Sequence, residues 1–130
     1  MLVDNNFCFA CGTENHDGLK LKFKYSDDGS RVETTYTPPD KFQGWKGIVH
    51  GVIITTLLDE VMAKAAVKKG VHVLTGEITT RFKNPAKTLE PIRCEAKVEE
   101  VKKKLIYVKG TAYNKAGEVI AEARSKMIIT

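Results

Sequence analysis

The chain has 130 residues, the length of one domain, and expects no second core. Hydrophobic residues make up 42% and charged residues 28%, a balance that excludes a disordered chain, and the longest uncharged run, Gly47–Leu58, falls short of the roughly 20 apolar residues a bilayer crossing needs. The net charge of +5 would suit a ligand carrying several phosphates, but the lysines sit singly and no finger spacing or aromatic-basic RNA-binding motif occurs, so neither nucleic acid nor a membrane is an expected partner.

Met1–Asn6 lacks the basic and apolar regions of a signal peptide, which predicts a cytoplasmic protein. Residues 1–18 read as an irregular arm holding Cys8-Phe9-Ala10-Cys11-Gly12 and closing on the turn residues Asn15-His16-Asp17-Gly18. Two thiols at this spacing can bind zinc or carry redox chemistry. A structural zinc site needs four ligands, though, and no second cysteine pair follows. His16 is the one extra candidate nearby, so no metal is assigned.

Leu19–Tyr25 alternates strictly and predicts a strand, with Lys20, Lys22 and Lys24 on its solvated face. Asp27-Asp28-Gly29-Ser30 predicts a hairpin turn, and Arg31–Thr37 a returning strand stopped by Pro38-Pro39. A glycine-punctuated loop then leads to His50-Gly51. From Gly51 to about Lys69 the apolar positions Ile54, Leu57, Leu58, Val61, Met62 and Ala65 follow helical spacing, with Gly70 as terminator. Four further strands are expected at Val71–Lys83, Ile92–Val101, Lys104–Tyr113 and Glu118–Ile129. Cys94 falls on the apolar side of its strand and reads as core.

Two strands, one long helix and four strands predict an α+β fold. The helix is apolar over most of its circumference, which a flat sheet would leave partly uncovered. A curved antiparallel sheet of five to six strands wrapped round it solves that burial, the hotdog architecture, and edge pairing between copies predicts a homodimer or homotetramer.

The helix carries two adjacent acids. Glu60 aligns with Lys64 and Lys68 and predicts a solvent-facing, salt-bridged stripe. Asp59 lies about 100° away among Thr55, Met62, Ala63 and Ala66, where a carboxylate is either satisfied by a buried partner or poised in a cleft. Gly51 permits close approach to the helix start, whose unsatisfied amides can polarise a carbonyl and hold an oxyanion. His50 can orient this turn or act as a base.

Phe42-Gln43-Gly44-Trp45-Lys46-Gly47-Ile48-Val49-His50-Gly51, followed by Leu57-Leu58-Asp59-Glu60, resembles the signature of hotdog-fold acyl-CoA thioesterases of the phenylacetate-pathway (PaaI-like) branch. The Cys8–Gly12 and Gly18–Leu21 segments and Arg81-Phe82-Lys83-Asn84-Pro85 are similar to other parts of that family. The resemblance implies an enzyme that hydrolyses an acyl- or aryl-CoA thioester without a cofactor. It gives Asp59 the role of general base or nucleophile, and Gly51 the amide that holds the carbonyl. Thr75 matches a hydroxyl residue that positions the water or the carboxylate. Gln43 lies near a carbonyl-assisting amide position, although by count from His50 that position is Gly44. In the family the helix start and the carboxylate come from different subunits. Val52, Thr55, Leu58 and Met62 are then expected to line the acyl pocket, and Arg81, Lys83 and Lys87 to reach the CoA phosphates. Many relatives read His-Gly-Gly, whereas Val52 stands third here and narrows the helix start. The rival readings are a non-catalytic acyl-CoA-binding domain and a zinc or redox protein using Cys8 and Cys11.

Overall fold

The computed structural model describes residues 2–130. The elements run β1 (Lys24–Tyr25), β2 (Arg31–Tyr36), α1 (Gly51–Val67), β3 (Val73–Phe82), β4 (Ile92–Lys102), β5 (Leu105–Tyr113) and β6 (Val119–Ile129), with a short 3₁₀ turn at Asp40–Phe42. All six strands join one antiparallel sheet in the order β1-β2-β4-β5-β6-β3. Helix α1 packs against every strand but β1, the one long helix on one sheet that defines a hotdog fold. No helix among the described residues is long and apolar enough to cross a membrane.

The core lies between α1 and the inner sheet face. Leu57, Leu58, Val61 and Met62 are fully buried, together with Val32, Cys94, Val108, Ala112, Ile120 and Met127 from the strands. Gly110 on β5 lets the helix come close: a Cβ there would stand 3.1 Å from the Met62 side chain and 3.3 Å from that of Leu58. Burial pushes the Cys94 thiol up to about 12, so it packs as a neutral group.

Turn chemistry fixes the register. Asp28 accepts from the Ser30 amide and from the Ser26 and Ser30 hydroxyls, which hold its carboxyl far below the ordinary range, and Gly29 takes φ 73°. Asn114 Oδ1 accepts from the amides of Ala116 and Glu118 to close the β5–β6 turn.

The expected strand over Leu19–Tyr25 is corrected to two residues, Lys24–Tyr25. Lys20 adopts φ 54°, which breaks the extended run. The amides on either side turn to the arm instead: Leu19 N–H donates to Phe9 O at 2.8 Å and Leu21 N–H to Ala10 O at 3.0 Å. Ala10 and Leu21 are buried, so the irregular arm is seated on the core. Glu60 is also corrected. It is half-buried and faces the arm, where it accepts from Cys8 Sγ at 3.9 Å, and it forms no ion pair with Lys64 or Lys68 among the described residues. Lys64 and Lys68 lie instead over the rings of Phe23 and Tyr25.

Candidate active site

The loop before α1 is braced from within. Gln43 and Val49 form an antiparallel bridge, Gly44 N–H donates to Ile48 O at 2.8 Å, and Ile48 N–H to Trp45 O at 2.9 Å. Gly47 takes φ 75°, and its amide donates to Gln43 Oε1 at 3.0 Å. Val49 N–H reaches Ala86 O, and His50 N–H reaches Phe42 O. The carboxamide oxygen of Gln43 is therefore used in holding the turn.

His50 is the N-cap of α1. Its Nδ1 accepts from Val52 N–H at 3.1 Å, and its carbonyl from Ile53 N–H at 3.0 Å. With Nδ1 occupied by the cap bond, Nε2 is the ring nitrogen left to face outward. The Gly51 amide has no partner among the described residues. It lies at the positive end of the helix between two concavities: one of about 440 Å³ lined by Gly44, Trp45, Ile48, Val49 and His50, and one of about 610 Å³ that includes Trp45, Ile54, Phe82 and Lys83. A Cβ at Gly51 would meet the Phe82 ring at 3.2 Å.

Two turns along, Asp59 is half-buried and its Oδ1 accepts from Thr75 Oγ1 at 2.7 Å. The reach of Thr75 depends on a bulge in β3. Above it the even-numbered residues face α1: Ile78 packs on the core, Thr80 exchanges a hydroxyl hydrogen bond with Thr55 at 3.2 Å, and Phe82 covers Gly51. The register shifts between Thr75 and Glu77, where Gly76 is the extra residue. Below it the odd-numbered Val73 and Thr75 face the helix. A Cβ at Gly76 would stand 2.8 Å from the Ile128 side chain, so any larger residue there requires that side chain to shift.

The other expected residues divide. Val52 is 65% exposed beside the helix start, and Thr55 is half-buried on the β3 side. Leu58 and Met62 are corrected: both are fully buried against Gly110 of β5 and pack in the core between helix and sheet. Lys83, paired with Glu122 at 3.3 Å, lines the larger concavity, and the Lys87 backbone bridges to Ile48 of the loop. Arg81 faces the opposite side of the sheet with Thr79, Lys109 and Arg124. Sequence reasoning passed over Trp45 and Phe82 as site residues. Trp45 is 86% exposed, and a lone tryptophan in a glycine-rich loop with no apolar neighbours to bury it was the available signal.

The family model of the thioesterase superfamily matches residues 46–121, which include the end of the loop from Lys46, the whole of α1, β3, β4 and β5, and the start of β6. No curated protein matches. Among solved structures, a thioesterase superfamily protein is 26% identical with a TM-score of 0.87, over 95% of this chain and 60% of that one. The PaaI protein from the phenylacetic acid degradation operon of E. coli is 20% identical with a TM-score of 0.79, over 86% and 80% of the two chains. A hypothetical thioesterase protein from Streptococcus pneumoniae TIGR4 with coenzyme A is 16% identical with a TM-score of 0.78, over 85% and 88%. That streptococcal protein has also been solved with an aspartate, and with a threonine 16 positions further on, each changed to alanine.

Proposed function

We propose that this chain, which belongs to the thioesterase superfamily, hydrolyses an acyl- or aryl-CoA thioester, with Asp59 as the reacting carboxylate and the Gly51 amide as the carbonyl-holding group. The observation that carries the reading is the 2.7 Å bond from Thr75 to Asp59, which orients a half-exposed carboxylate on the β3 side of the helix. Two similar structures are described with coenzyme A and acetyl CoA, which supports a CoA ester as ligand. The 16-residue interval from Asp59 to Thr75 equals the interval between the two altered residues of the streptococcal protein.

As a base, Asp59 takes a proton from water while the oxygen adds to the thioester carbonyl. The oxyanion that forms is held by Gly51 N–H. The C–S bond then breaks, and the proton passes to the departing thiolate. As a nucleophile, an Asp59 oxygen adds to the carbonyl, and the C–S bond breaks to expel the CoA thiolate, which takes up a proton from water. A second water then hydrolyses the resulting anhydride to the free acid and the regenerated carboxylate. Both routes need the carboxylate and the amide within about 3 Å of the reacting groups. Eight residues separate them on one helix, about 12 Å of rise. A single copy cannot bring both to one carbonyl, so the reading requires a twofold dimer in which the Gly51 of one copy meets the Asp59 of the other. The exposed β3 edge, with Leu74 53% and Phe82 52% exposed, supports that pairing. Trp45, Val52 and Phe82 would then border the acyl group, and Lys83 and Lys87 would meet the CoA phosphates.

Thiol release from a panel of aryl-, short- and medium-chain acyl-CoAs tests the reading. Wild type should release CoA, and Asp59→Asn should lose about 10²–10⁴-fold in turnover while keeping its oligomeric state. Acyl-CoA binding without release by the folded wild type would leave a non-catalytic binding domain. Equal turnover by Asp59→Asn would remove Asp59 from the chemistry.

A further inference from the structure

We propose that Cys8, Cys11 and Glu60 form a structural site for one zinc-class divalent ion that clamps the N-terminal arm to the middle of α1. The reasoning is independent of the thioesterase site. A pair of thiols lacked enough ligands in the sequence, and His16 was the nearby candidate. In the fold the third donor is Glu60, from 52 residues away on another element, and His16 is not a member of the set. One ligand atom from each of the three side chains lies within 4.8 Å of the others, the one group of three or more such donors to converge among the described residues.

The spacing suits a tetrahedral ion. Sulfur at about 2.3 Å and carboxylate oxygen at about 2.0–2.2 Å from zinc place S and O about 3.5 Å apart. Cys8 Sγ and Glu60 Oε1 are 3.9 Å apart, close to that separation. The arm is shaped to point both sulfurs one way. Gly12 N–H donates to Cys8 O at 2.8 Å, and this turn is so tight that a Cβ on Gly12 would stand 2.4 Å from Cys8 N. Ala10 N–H is directed at Cys8 Sγ at 3.4 Å, as the outer contact of a ligating thiolate requires.

Charge favours the same ion. Two thiolates and a carboxylate carry three negative charges. A divalent cation would offset two of those charges. Thiolate donors select zinc-class ions over calcium or magnesium. A disulfide between Cys8 and Cys11 would need no carboxylate from α1, so the convergence of Glu60 is the feature that favours metal. The protein supplies three of the four ligands, and a solvent water would take the fourth position. Since Glu60 precedes Val61 and follows Asp59 on the same helix, the clamp fixes the rotation of α1 where the reacting carboxylate projects.

Metal-free, reduced protein titrated with Zn²⁺, and separately with Co²⁺, tests this. One ion should bind per chain, with thiolate-to-cobalt charge-transfer absorption, a higher Tm and protection of Cys8 and Cys11 from oxidation to a disulfide. Cys11→Ser should abolish the charge-transfer band, and Cys94→Ser should leave it unchanged. Glu60→Gln, folded by circular dichroism, should weaken binding about tenfold or more. Failure of the reduced, folded chain to bind either ion overturns the proposal. So does equal oxidation with and without zinc, or binding that Glu60→Gln leaves untouched.

Discussion

Asp59 and Glu60 are adjacent in the chain and about 100° apart around α1, and that angle separates their surroundings. Asp59 turns towards the exposed strand β3 and meets a hydroxyl, whereas Glu60 turns towards the arm and meets thiols. On the proposed chemistry, Thr75→Ala removes a hydrogen bond to a charged group, which is worth about 1.5–3 kcal/mol. Turnover should then fall about tenfold to hundredfold, while Thr75→Ser should restore most of it. Equal rates for the alanine and serine variants would show that the hydroxyl does not position Asp59. Cys94 offers a separate prediction. Burial raises its folded pKa to about 12 from the 9.0 of a free thiol, so the native state keeps a proton that the unfolded chain releases. Stability should therefore decline as pH rises through the interval from 9 to 12, in addition to any other titration. Thiol reagents should label Cys94 only in denaturant, and labelling of the native protein would contradict its burial.

At the scale of elements, the bulge at Gly76 decides which face of β3 carries the site. Deleting Gly76 would remove the extra residue and leave Thr75 opposite Met127 and Glu77 opposite Lys126 in a regular ladder, with Thr75 still turned towards α1. The deletion variant should fold, keep Thr80 against Thr55, and retain more activity than Thr75→Ala. Loss of activity to the level of Thr75→Ala would mean that the bulge itself, beyond the face it selects, positions the hydroxyl. The sequence made α1, its cap and the four long strands legible, because hydrophobic periodicity and turn residues act locally. Asp59 was legible as a carboxylate at odds with its helical neighbours. The bulge was not, because a lone glycine in a strand has no alternation of its own to read. Nor was the shortening of the first strand, which follows from arm amides that pair with Leu19 and Leu21 across the chain. Leu58 and Met62 were misplaced for a related reason: spacing shows that a helix is apolar all round, not which part of it meets a neighbouring sheet.

At the scale of the whole molecule, the rise of about 12 Å between Gly51 and Asp59 predicts complementation between copies. Gly51→Pro and Asp59→Asn chains, each inactive alone, should regain activity when unfolded and refolded together. A mixed dimer then holds one site with both groups intact. Activity that never returns in verified mixed dimers would place both groups in one copy and refute the two-copy arrangement.

The strand order also has a consequence for synthesis. β3 pairs only with β6, yet residues 83–118 separate them in the chain. A ribosome will therefore have delivered α1 and β3 well before the strand that seats β3 exists. Until residues 119–129 emerge, Leu74, Ile78 and Phe82 have no paired backbone beneath them and stay exposed on the nascent chain. Nascent chains stalled before Val119 should be cut readily by protease within residues 73–82, and chains stalled well beyond Ile129 should resist.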